Sequence, residues 1–216
     1  MTLPLEDGMQ LFPELSSFES EPSVADDTDA ITRRFASSSH QGTHVDAPRH
    51  YIPDGPTLGE IRLESWFGAA TVIDLRESRG EAIDAATLES SGIDPEPGTR
   101  LLLLTGDIDY RFGDQDFFEE AAHLTASGAE WLADHEPALV GNDFLTEALS
   151  DLNRPVHKTL LGAGIPLVEY LCAADVVADH KRIEFTCLPL NVPTFEASPV
   201  RAIARIESPE RLQLNR

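Results

Sequence analysis

The sequence predicts a mixed α/β or α+β fold built on a central core sheet. Three observations carry this expectation. Short β-branched or leucine-rich runs recur along the chain, most of them apolar on both faces. Short helical patterns fall between them at irregular intervals. The 216 residues, 41% hydrophobic and 25% charged, suit an ordinary soluble core rather than disorder or a fibrous repeat. No internal repeat and no linker-like tract divides the chain, so a single domain over residues 1–216 is expected.

Taken in chain order, residues Ser16–Asp29 are polar and acidic and read as a loop or weakly ordered edge. Ala70–Leu75 is the first strand-like run, and Asp84–Ser90 reads as a helix. Leu101–Thr105 is a strand apolar on both faces. Helical patterns follow at Phe117–Leu124 and Ser127–Ala133, the second opened by a capping box, Ser127 with Glu130. Ala138–Val140, Ile165–Val168, Arg182–Leu188 and Val200–Ile206 complete the strands.

The charge balance excludes several classes of function. Sixteen Lys plus Arg against 38 Asp plus Glu give a formal charge of −22, which would repel a phosphate backbone, so no nucleic-acid partner is expected. No apolar run is long enough to cross a membrane, and the first residues lack the basic and apolar regions of a signal peptide, so a soluble cytoplasmic protein is expected. Only Lys158 and Lys181 are lysine. An acidic, nearly lysine-free surface fits a halophilic protein, because concentrated salt screens the self-repulsion of carboxylates. Cys172 and Cys187 form no C-x-x-C pair and sit among apolar neighbours, so they read as small hydrophobes.

The chemistry concentrates in Ser37–His50, where His40, His44, Asp46 and His50 fall within eleven residues. At this composition the spacing H-x3-H-x-D-x3-H arises by chance in on the order of one random chain in a thousand, so metal binding outweighs coincidence. Gly42, Thr43 and Pro48 argue against a helix. In extended chain His44 and Asp46 share a face. His40 joins them if Gly42 supplies a bend. Three ligands from one short segment would leave positions open for water, as a catalytic ion requires. His123, His135 and His180 show no such pattern and read as surface or hydrogen-bonded histidines.

The run from His40 to His50 resembles the H-x-G-T-H-x-D-x-P-x-H signature of the cyclase-like metal-dependent hydrolases, a family that includes kynurenine formamidase and isatin hydrolase. The likeness extends to Leu5–Met9, Thr105–Gly106, Val140–Asp143, His157–Glu169, Leu188–Leu190 and Ser198–Ala204, and so covers most of the chain. It implies an α+β fold, a swivelling β/β/α domain with a mixed central sheet and short flanking helices. It also implies that His157 and Glu169, twelve residues apart, join His40, His44 and Asp46 as ligands of one or two divalent ions. His50 is similar to the family's proton-shuttling histidine.

A donor set of imidazoles and carboxylates suits zinc or manganese. The resemblance further implies hydrolysis of a small amide, foremost an aryl formamide such as N-formylkynurenine, by metal-activated water. A cyclic amide or ester, as in isatin hydrolase, is the alternative, and a non-catalytic metal- or ligand-binding protein is a third reading. A homodimer or higher homo-oligomer is expected from the family. Phe12 could stack on a substrate ring. The pattern departs at Phe12–Leu15, which replaces an aromatic-Pro-Gly-Asp run, and at Asp107, where many members place Trp.

Overall fold

The computed structural model describes residues 1–10, 12–13, 15–24 and 30–206. Among these, eight strands form one mixed sheet. From edge to edge they run Ala197–Pro199, His44–Asp46, Leu167–Glu169, Leu139–Asn142, Arg100–Leu104, Phe67–Asp74, Arg182–Thr186 and Ile203–Arg205. The four central strands, from Leu167–Glu169 to Phe67–Asp74, are parallel, and the two at either side are antiparallel. This is the mixed central sheet with short flanking helices that the sequence predicts.

The strands apolar on both faces are buried on both. Leu102, Leu104, Val72 and Val168 point into one core with Trp66 and Phe185. Their neighbours Leu101, Leu103, Ile73 and Leu167 point into the other, with Leu88, Leu132, Leu160 and Phe144. The period of two thus feeds two layers from one run of leucines. Helices Ala85–Ser90, Ala126–Asp134 and Pro155–Gly162 cover the second face. A three-stranded parallel sheet, Ala82–Ile83, His123–Leu124 and Leu145–Glu147, contributes Ile83 and Leu124 to the same core.

Three local expectations are corrected. Within the segment from Ser16 read as a loop or weakly ordered edge, Glu19–Val24 is a strand paired antiparallel with Ile31–Ala36, while residues 25–29 lie outside the described part. Ile31–Ala36 is exposed along its whole length, so backbone pairing holds the hairpin without an apolar face to betray it. The helix expected over Phe117–Leu124 stops at Glu120. Ala122 N donates to Asp107 Oδ2 (3.1 Å) instead of to the helix, and the chain passes extended into His123–Leu124. The helix expected at Ser127–Ala133 runs Ala126–Asp134 and is capped by Thr125, whose Oγ1 accepts from Gly128 N. Ser127 lies inside the first turn and pairs with the Thr125 hydroxyl, so the capping box is not used.

Strand His44–Asp46 lies one place from the sheet edge, and its register sets up the site. Val45 points into the first core, so His44 and Asp46 face the side covered by helix Pro155–Gly162. Glu169 is the cross-strand partner of His44, and directly opposed residues share a face.

Candidate metal centre and catalytic cavity

The segment that carries His40 turns sharply before the strand. Gly42 has φ +60°, the bend that the sequence requires of it, and a Cβ there would meet Leu5 Cδ2 at 2.8 Å. The Gly42 carbonyl accepts from His44 Nδ1 (2.8 Å). A carbonyl can only accept, so Nδ1 carries the proton and Nε2 presents its lone pair. On the facing helix, His157 Nδ1 is held by Glu147 Oε1 (2.6 Å), and Glu147 Oε2 accepts from Val156 N (2.9 Å). His157 Nε2 is therefore the free nitrogen as well.

These free faces converge. His44 Nε2 lies 3.3 Å from Glu169 Oε2 and 3.5 Å from Asp46 Oδ1. His157 Nε2 lies 3.1 Å from Glu169 Oε1 and 3.7 Å from Asp46 Oδ2. His40 Nδ1 stands 3.0 Å from Asp46 Oδ1, yet off the hydrogen-bond direction, since neither Asp46 oxygen accepts a hydrogen bond. His44 Nε2 is also without a hydrogen-bond partner, and all three atoms are buried. Donor atoms of His44, Asp46 and Glu169 lie within 4.8 Å of one another, as do those of His40, Asp46 and His50.

Buried polar atoms without partners cost about 1–3 kcal/mol each, so three of them aimed at one point need an occupant. Imidazole lone pairs and carboxylate oxygens, with His44 and His157 fixed from behind by a carbonyl and a carboxylate, are the donor set of a divalent ion. The residues fit the group.

The electrostatics agree. Burial alone would lower the His44 pKa, but Asp46 and Glu169 outweigh it and raise it to about 9. His157 is raised in the same way against its burial, by Asp46, Glu147 and Glu169. Asp46 is held well below the ordinary carboxylate range, despite burial, by His40 and His44. Glu169 is lowered by His157 and His44, again against burial. Protons here compete for the lone pairs that a cation would use.

His50 differs. Burial outweighs the pull of Asp46 and pushes its imidazole down to about 4, leaving it neutral at pH 7. Its ring lies 4.1 Å from that of His40 and 5.6 Å from that of His157.

These groups open into a cavity of about 310 Å³. Its apolar wall includes Phe12, Leu15, Leu145 and Tyr170. Phe12 is half-buried and packs edge-on against Phe118 (5.5 Å), so one ring serves both the cavity wall and a small hydrophobic cluster. Asp107 is turned away. Its Oδ2 accepts from Gly80 N, Thr105 Oγ1 and Ala122 N, which makes it a buried junction rather than a cavity residue.

The structure thus brings together all seven residues singled out in the sequence. It adds some that sequence reasoning missed. Glu147 orients His157, the Thr146 hydroxyl donates to Glu169 Oε1, and Glu196 Oε1 stands 3.4 Å from His40 Nε2 while accepting from Ser39 Oγ. None belongs to a local motif, and only the pairing of distant segments reveals them.

The Cyclase family model, described as "Putative cyclase", matches residues 1–147. A kynurenine formamidase from Bacillus cereus is 31% identical over 208 residues, covering 94% of each chain. Among solved structures, isatin hydrolase A from Labrenzia aggregata, bound to benzyl benzoate, has a TM-score of 0.83 at 21% identity, over 96% of this chain and 92% of that one. A "predicted metal-dependent hydrolase from Bacillus stearothermophilus" has a TM-score of 0.79 at 25% identity, over 94% and 95%.

Proposed function

Because the chain belongs to the Cyclase family, we propose that it is a metal-dependent hydrolase of a small amide, with an aryl formamide such as N-formylkynurenine as its substrate. The observation that supports this most is the convergence of buried, unpartnered donor atoms on His44, which lines the cavity, and on Asp46 buried beside it. His40, His44, Asp46, His157 and Glu169 would hold one or two divalent ions, zinc or manganese. When bound, a divalent ion supplies Lewis acidity, enough to ionise water near neutral pH and to polarise an amide carbonyl.

The chain's own residues supply the rest. Glu147 and the Gly42 carbonyl fix the tautomers of His157 and His44. The apolar wall at Phe12, Leu145 and Tyr170 receives the aryl ring and excludes water from the scissile amide. Neutral His50 accepts a proton as the water oxygen attacks the carbonyl carbon. It returns that proton to the nitrogen as the C–N bond breaks, releasing formate and an aryl amine. One histidine then serves as base and acid in turn, and burial, by keeping the ring neutral before attack, leaves its lone pair available for the first role.

His50→Ala tests the role. It should retain bound metal and lose at least about 100-fold in turnover of N-formylkynurenine. Unchanged turnover would contradict the assignment, and loss of metal would make His50 a ligand instead. A non-catalytic binding protein would show no chelator-sensitive turnover in the wild type.

A further inference from the structure

Among the described residues, the cavity wall carries one cation that no carboxylate answers. It is Arg154. With 38 Asp plus Glu against 16 Lys plus Arg, carboxylates far outnumber the cations they could pair with. Arg34, Arg62, Arg76 and Arg111 each form an ion pair. Arg154 forms none with a described residue, although it is half-buried.

Its position ties it to the metal centre. Arg154 caps helix Pro155–Gly162, whose third residue is His157. Its backbone is in the left-handed region, φ +51°, directly before a proline. That conformation is uncommon for a long side chain, and the following ring disfavours helical values. Arg154 N donates to Asp151 O (3.0 Å), which anchors the turn.

The guanidinium lies over the Phe12 ring, 5.2 Å from its centroid. One planar face is thus covered by an aromatic, while the N–H edge has no hydrogen-bond acceptor among the described residues.

We propose that Arg154 is a specificity residue that reads a carboxylate on the substrate, remote from the scissile amide. The assignment rests on the hydrolase reading of the same cavity and narrows its substrate class to aryl amides with an anionic side arm. A carboxylate fits the fork of a single guanidinium in two parallel hydrogen bonds. A phosphate would call for further cationic partners, and the cavity lining contains no lysine and no second arginine. The aromatic underneath shields one side of the planar fork from water, which strengthens its hydrogen bonds.

The test compares two aryl formamides on metal-loaded protein. One is 4-(2-formamidophenyl)-4-oxobutanoate, and the other is 2′-formamidoacetophenone, which lacks the carboxylate arm. Wild type should prefer the acid by about tenfold or more in kcat/KM. Arg154→Met should erase that preference through KM, leaving kcat and the neutral substrate unchanged, and Arg154→Lys should keep part of it. A preference that survives in Arg154→Met, or an equal loss on both substrates, would overturn the proposal.

If wild type hydrolyses neither compound, the aryl-formamide reading of the cavity fails separately. Calorimetric binding of the corresponding amines, 4-(2-aminophenyl)-4-oxobutanoate and 2′-aminoacetophenone, then decides for Arg154. A tighter grip on the acid that disappears in Arg154→Met supports the anion site. Equal loss for both ligands, or none, overturns it.

Discussion

At the scale of single residues, the site is a set of lone pairs aimed by atoms behind them. His157 is useful only if its Nε2 faces Asp46 and Glu169, and Glu147 secures this by accepting a hydrogen bond from Nδ1. Glu147 is itself 2% exposed and also satisfies Val156 N at the start of the helix. Glu147→Gln keeps the size but has one acceptor oxygen for two donors. Metal affinity, measured by competition with a chelator, should fall about 10- to 100-fold while the fold persists; unchanged affinity would remove Glu147 from the account. Much of the residue-scale picture was legible in sequence because His40, His44, Asp46 and His50 lie close together in the chain with a spacing that chance rarely produces. Glu147 and Arg154 were not legible. Their meaning depends on which distant segment faces them, and no spacing encodes that.

At the scale of elements, the strand His44–Asp46 and the turn before it do the positioning. The period of two sends Val45 into the core and both ligands to the other face, and pairing with Leu167–Glu169 sets Glu169 opposite His44. The turn depends on Gly42, where φ +60° is unfavourable for any residue with a Cβ and where Leu5 leaves no room for one. Gly42→Ala should cost about 1–2 kcal/mol of stability, read as a lower denaturation midpoint. It should also weaken metal binding, because the carbonyl that holds His44 Nδ1 belongs to this residue; a midpoint and an affinity both equal to wild type would contradict this. The buried strands were readable from their apolar runs. The hairpin of Glu19–Val24 with Ile31–Ala36 was not, since an exposed ribbon needs no apolar pattern. The end of helix Phe117–Glu120 was set by a tertiary hydrogen bond from Ala122 to Asp107, which no local propensity contains.

At the scale of the whole molecule, the net charge and one exposed hairpin are the features that bear on solution behaviour. A net charge of −22 with two lysines repels itself at low salt. The Glu19–Ala36 hairpin leaves Ile31 and Phe35 at 95% and 63% exposure, with no covering element among the described residues. We propose a halophilic homo-oligomer that covers these side chains. The melting midpoint should rise from low to multimolar salt, with a dimer or larger species in sedimentation at the high end. A flat melt and a monomer throughout would contradict both parts.

The central claim is that buried donors from the His40–Asp46 segment, His157 and Glu169 hold a catalytic ion. The most direct test is elemental analysis of protein purified in high salt, paired with N-formylkynurenine hydrolysis before and after chelation. The account predicts one or two zinc or manganese ions per chain and turnover that stops on chelation and returns with metal. Protein that takes up no metal even on reconstitution, or turnover indifferent to chelator, would contradict it.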